Sequence, residues 1–109
     1  MTINFKNTWR PLPSCVTIKE STIDGLGLFA VENIPLGTDL GLMRFMYHDT
    51  FVRTALGSFS NHCEEPNCVN MSSINEHGDE EYTLVTNQDI KIGDELTLCY
   101  QMKQYYIGE

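Results

Sequence analysis

The chain has 109 residues, 41% hydrophobic and 20% charged, enough for one modest core and unlike a disordered or fibrous protein. With 7 basic against 15 acidic residues its formal net charge is −8, which disfavours a phosphate backbone as ligand and favours cationic peptides. The opening MTINFKNTWRPLP has no apolar h-region, and no later run approaches bilayer-spanning length. The expected setting is therefore intracellular, with neither a membrane nor nucleic acid as a direct partner.

Val16 to Glu20 alternates apolar and polar residues and predicts a strand, closed by a turn at Asp24-Gly25. Gly27 then permits a close backbone approach. The run GLGLFA also fits the GxGxxA form of the dinucleotide-binding fingerprint. That fingerprint needs a helix after its glycines, and Pro35 and Gly37 follow too soon for one. Asp39 to Tyr47, DLGLMRFMY, carries apolar residues on both faces and predicts a strand buried on both sides. The next ten residues, HDTFVRTALG, have no usable periodicity and fit either a short strand or a turn of helix.

Gly57 to Asn70, GSFSNHCEEPNCVN, gathers an Asn-His pair, two cysteines, two carboxylates and a Pro-Asn step, and Pro66 favours a tight loop over helix. Val69 to Ile74 and Tyr82 to Thr86 flank INEHGDEE as a hairpin turning at His77-Gly78-Asp79, with a solvated acidic tip and an exposed His77. ENIPLGTDL at 32–40 and QDIKIGDEL at 88–96 share Ile, Gly and Leu at matching offsets, which predicts two similar turn-to-strand corners. Gly93 to Tyr100, GDELTLCY, is a strand in which Leu96 and Leu98 alternate with Thr97 and Cys99, ending on a tyrosine whose hydroxyl needs a partner if buried. A polar loop beside a strand-end tyrosine predicts a reaction site, so these two stretches must meet. Cysteines 15, 63, 68 and 99 show no disulfide framework and read as reduced thiols.

Three ordered motifs resemble those of the SET-domain protein lysine methyltransferases. Asn61, His62, Pro66, Asn67 and Cys68 match the family's NHSCxPNC loop. Glu95, Leu96, Thr97 and Tyr100 match its ELTxDY strand, and Gly25, Gly27, Phe29 and Ala30 match its GxG-FA element. The resemblance spans roughly residues 15 to 107, and the short length is most similar to minimal viral or bacterial members. It implies a single SET-like domain over residues 1–109, mainly β, built of several small sheets and closed by a C-terminal pseudoknot, an exception to the rule against threaded chains.

The resemblance further implies methyl transfer from S-adenosylmethionine to a lysine amine of a protein substrate. The backbone of Gly25, Leu26 and Gly27 would hold the methionine end of the cofactor, with Asn61 and His62 contacting its polar groups. Tyr100 would be the catalytic residue, orienting the amine, and Tyr105 and Tyr106 would finish the substrate channel. A homodimer is expected, because a small β-rich core gains from an interface and the minimal members resembled tend to pair.

Departures from the family pattern are Cys63-Glu64 in place of Ser-Cys, Cys99 in place of the acid before the tyrosine, and Leu26 where compact viral members can carry an aromatic. Because Glu64 replaces the cysteine that some relatives give to zinc, no metal site is expected. Two rival readings are a non-catalytic SET-like module that binds peptide or cofactor, and a small zinc protein using His62, Cys63, Cys68 and Cys15 or Cys99. The zinc reading rests on a Cys-x4-Cys spacing that lacks a second ligand pair.

Overall fold

Two four-stranded sheets organise residues 11–99, the part of the chain that the computed structural model describes. The strands are β1 (Val16–Glu20), β2 (Leu26–Ala30), β3 (Asp39–Tyr47), β4 (Thr50–Arg53), β5 (Asn61–His62), β6 (Cys68–Ile74), β7 (Glu80–Thr86) and β8 (Glu95–Leu98). A short helix, α1 (Ala55–Phe59), lies between β4 and β5. One sheet runs β1-β2-β8-β5 and the other β4-β3-β7-β6. The fold is thus mainly β and made of small sheets, as expected. The expected pseudoknot would involve residues 100–109, which lie outside the described residues.

Residues 48–57 form both structures that their composition allowed. His48 (φ 49°) and Asp49 (φ 65°) make a two-residue turn with both positions left-handed, the geometry whose twist matches that of an antiparallel hairpin. Strand β4 follows, pairing with β3 from Tyr47↔Thr50 to Arg44↔Arg53. The register of β3 against β7 slips between Leu42 and Arg44. Beside that slip, the carbonyl of Met43 accepts Thr54 N at 2.9 Å, and Thr54 Oγ1 donates to Leu42 O at 2.7 Å. These bonds seat α1 on β3, and Leu56 is buried there.

Strands β6 and β7 pair without a slip from Cys68↔Thr86 to Ile74↔Glu80. Asn75 organises the turn, its Oδ1 accepting His77 N at 2.8 Å and Asp79 N at 3.0 Å. His77 is exposed, as expected, with Glu76 3.6 Å from its Nε2.

The two echoing stretches turn out to be partners, related by an approximate two-fold. Ile34 and Ile90 form an antiparallel bridge. Asn33 Oδ1 accepts Ile92 N, and at the equivalent place Asp89 Oδ1 accepts Leu36 N, each at 2.9 Å. Ala30 N donates to Asp94 O while Thr86 N donates to Thr38 O, and Phe29↔Glu95 in one sheet matches Val85↔Asp39 in the other. Gly37 (φ 83°) and Gly93 (φ 93°) take equivalent left-handed positions that admit glycine without strain. The relation ends where β3 continues into an antiparallel hairpin and β8 instead receives β5 in parallel.

Leu28, Leu84, Ile90, Leu96 and Cys68 are the most deeply buried core side chains of these corners and strands. Only Leu40 and Met43 of β3 are fully buried, so that strand is half-covered rather than buried on both sides. On β8 the alternation of Leu96 and Leu98 with Thr97 and Cys99 does not separate a dry face from a wet one. All four are buried, because β2 and β5 flank the strand and β6 packs near it.

Candidate functional site

The polar loop and the terminal strand do meet. Asn61 and His62 pair in parallel with Thr97 and Leu98, and Cys63 N continues the ladder to Leu98 O at 3.1 Å. Asn67 fixes the other side of the loop by imitating a strand with its side chain. Its Nδ2 donates to Glu95 O and its Oδ1 accepts Thr97 N, both at 2.8 Å. One amide therefore satisfies a backbone acceptor and a backbone donor of β8, the bonding pattern of a peptide unit. Pro66 helps to present it: the Pro66 carbonyl accepts Asn87 Nδ2 at 3.3 Å, and Asn67 O accepts Asn87 N at 2.9 Å.

Beyond the start of β2, three side chains and two carbonyls converge. Ser21 Oγ accepts Ile23 N at 2.9 Å and Asp24 N at 3.4 Å, holding the 21–25 loop in a tight turn. Its single proton points to the Glu95 carboxylate, with the oxygens at 2.8 and 2.9 Å. Asn61 Nδ2 donates to Glu95 Oε2 at 2.9 Å and also lies 3.1 Å from Asp24 O and 3.2 Å from Leu26 O. A Cβ built on Gly27 would collide with Glu95 Oε2 and stand 3.0 Å from Asn61 Nδ2. A side chain at position 27 would have to displace the Glu95 carboxylate of β8, which glycine leaves in place.

Gly25 (φ 47°) turns the chain in open surroundings, with nothing within 4 Å of a Cβ placed there. Leu26 is 47% exposed beside it. Gly25, Leu26, Gly27 and Asn61 are therefore gathered at one edge of the first sheet, with His62 next in line on β5. Tyr100, Tyr105 and Tyr106 lie outside the described residues. Sequence reasoning assigned no role to Ser21, Glu95 or the Asn67 side chain. Glu95 and Asn67 stood within the motifs, but their partners are distant in sequence.

None of the four cysteines forms a disulfide. Cys68 is fully buried, and burial pushes its pKa up to about 12, against a smaller lowering by the Thr97 backbone. Desolvation also raises that of Cys15. Without a metal, such thiols stay protonated at neutral pH and are weak nucleophiles. Among the described residues, no group of three or more His, Cys, Asp or Glu is arranged to hold a metal ion. No described helix is long and apolar enough to cross a membrane. A cavity of about 770 Å³ opens elsewhere, between residues 11–14, β3 and α1, and takes in none of the expected site residues.

The acceptors at the sheet edge suit S-adenosylmethionine, which carries a sulfonium and an ammonium. The Glu95 carboxylate is taken up by Ser21 and Asn61, and the Asn61 carbonyl oxygen remains as an acceptor once both amide N–H bonds are directed inward.

The family model for the SET domain matches residues 42–101. No curated protein matches the chain significantly. Among solved structures, one similar chain is a Plasmodium falciparum protein assigned as a histone methyltransferase. The identity is 15%, the TM-score 0.67, and the similarity covers 83% of this chain and 96% of that one. Two more are ctPRC2 structures, one an apo form substituted at two positions of Ezh2 and one an autoinhibited conformation bound to S-adenosylmethionine. Each is 20% identical with a TM-score of 0.65, covering 79% and 80% of this chain respectively and 15% of the longer chain in each case. At these identities the likeness is one of fold.

Proposed function

Because this chain belongs to the SET-domain family, whose model matches more than half of its length, we propose that it is an S-adenosylmethionine-dependent protein-lysine N-methyltransferase. One observation carries the proposal: β5 pairs with β8, so the Asn-His step and the strand leading to Tyr100 lie side by side, next to the 25–27 turn. The neighbouring folds support the same reading, one of them bound to S-adenosylmethionine.

When bound, that cofactor supplies an electrophilic methyl group for in-line displacement. The chain's part is to hold two reactants in line, which is most of the work in such a transfer. The backbone of residues 25–27 and the Asn61 carbonyl oxygen bind the methionine end, and His62 is held beside them by its ladder to Leu98. A substrate lysine, with an ordinary pKa of about 10.4, attacks only once neutral, and burial beside a sulfonium favours loss of its proton. Tyr100 orients the amine through its hydroxyl, and Tyr105 and Tyr106 complete the channel. The substrate is a lysine-bearing protein in an intracellular setting, and the acidic surface favours a basic segment around the target.

Transfer of a labelled methyl group to a lysate, with identification of the labelled band, tests the activity. Tyr100→Phe should lower kcat by about ten-fold to a thousand-fold, roughly 1.4–4 kcal/mol, with little change in cofactor affinity. Unchanged turnover in a folded variant removes Tyr100 from the mechanism, and no turnover in wild type despite cofactor binding leaves a binding module. The proposal also includes a homodimer, which light scattering at micromolar concentration checks, and no stoichiometric zinc, which elemental analysis checks.

A further inference from the structure

We infer that Glu95 is a positioning residue for cofactor recognition that acts through Asn61, an inference that rests on the methyltransferase reading above. An asparagine amide has two N–H bonds and one carbonyl oxygen. Around Asn61 Nδ2 stand three acceptors, Glu95 Oε2 at 2.9 Å, Asp24 O at 3.1 Å and Leu26 O at 3.2 Å. That surrounding decides which end of the amide is nitrogen. Both N–H bonds are directed into the protein, and the carbonyl oxygen is the polar atom the amide can offer a ligand. An acceptor matches an ammonium and repels a carboxylate, so the group recognised is the amino group at the cofactor's methionine end.

Glu95 sets this orientation. It supplies the shortest of the three contacts and the one charged acceptor, and charge-assisted bonds are the stronger kind. Its carboxylate is held in turn by Ser21 Oγ and lies in the space that the missing side chain of Gly27 leaves. Ser21 is fixed by accepting two amides of its own loop. The chain of contacts therefore runs from the 21–25 loop through Glu95 to Asn61, tying the orientation of one amide to the turn that would hold the cofactor. Gly27 contributes by making room for an acid rather than for the ligand on that face.

Calorimetric titration of the full chain with S-adenosylmethionine tests this, alongside the melting temperature of each unliganded protein. Glu95→Ala is expected to weaken binding about ten-fold, the loss of one strong bond's positioning. Glu95→Gln should recover most of that loss, since its amide oxygen still accepts from Asn61. In an Asn61→Ala background, Glu95→Ala should cost no further affinity, because its route to the ligand is already gone. A merely structural Glu95 would lower the melting temperature and give additive losses. Full affinity in Glu95→Ala, additivity in the double variant, or a Gln variant as weak as Ala overturns the inference. Should Glu95→Ala not fold, Ser21→Ala is expected to give a few-fold loss that also vanishes with Asn61→Ala, and additivity there overturns it equally. If folded wild-type protein does not bind S-adenosylmethionine at all, it is the methyltransferase reading that fails, and this inference falls with it.

Discussion

Ile34 N donates to Ile90 O at 2.7 Å and Ile90 N returns the bond to Ile34 O at 2.8 Å, with the two side chains 2% and 1% exposed. This reciprocal pair joins the corners that lead into β3 and β8, so each sheet's orientation depends on it.

Ile34→Ala and Ile90→Ala should each destabilise the fold by about 2–5 kcal/mol, the range for truncating a buried isoleucine. Urea unfolding midpoints check this. The double variant should lose less than the two single losses added together, because both residues line the same space.

Gly27→Ala places a methyl group against Glu95, and overpacking of this kind costs about 1–3 kcal/mol. Pairing it with Glu95→Ala removes the collision. The double variant should then unfold at a higher urea concentration than Gly27→Ala alone. A lower midpoint would show that some other neighbour of Gly27 is the obstacle.

Asn67→Ala leaves Glu95 O and Thr97 N without their side-chain partner, at about 1–3 kcal/mol for each buried group. Asn67→Asp keeps an acceptor for Thr97 N but loses the donor to Glu95 O. The expected order of stability is wild type, then Asp, then Ala. Amide hydrogen exchange at Thr97 should accelerate in the Ala variant far more than in the Asp variant.

Cys68 gives a pH dependence of known sign. Its folded pKa is about 12 against an ordinary value of 9.0, so above pH 9 the unfolded chain releases this proton while the folded protein retains it. Its contribution is whole below pH 9 and is lost as pH rises toward about 12. Unfolding measured across that window should show a steeper decline for wild type than for Cys68→Ala. At pH 8 a thiol reagent should label the half-buried Cys63 well before Cys68.

Much of the fold was legible where the pattern is long. Val16–Glu20 and Asp39–Tyr47 are strands with the bounds that alternation and apolar density implied, and the 68–86 hairpin differs only by a residue or two at its ends. Strand β5 was not legible, because two residues carry no period and exist as a strand only through β8. Leu26–Ala30 was read for its glycines and not as the strand it is. The site was half visible: the motifs named Gly25, Leu26, Gly27 and Asn61, which the fold gathers. Ser21 and Glu95 are 74 positions apart, and a hydrogen bond over that separation leaves no local trace in the sequence. Asn67 was visible as a motif position, but its peptide-like role depends on β8 being opposite.

The two sheets differ in how the chain reaches them. Strands β3, β4, β6 and β7 come from one span, residues 39–86, as two hairpins separated by α1 and β5. The sheet at the candidate site instead joins β1 and β2 to β8 across most of the described chain, and β8 is one of its two inner strands. On a ribosome, the β4-β3-β7-β6 sheet has all its parts once residue 86 has emerged. Strand β5, which carries Asn61, then lacks its pairing strand until residues 95–98 follow. Loop-closure entropy also ranks the two, since long-range pairing is the slower step. The candidate site residues Asn61 and Glu95 thus depend on a pairing that the chain can make only after β8 is synthesised, so binding competence comes after the other sheet can already have formed.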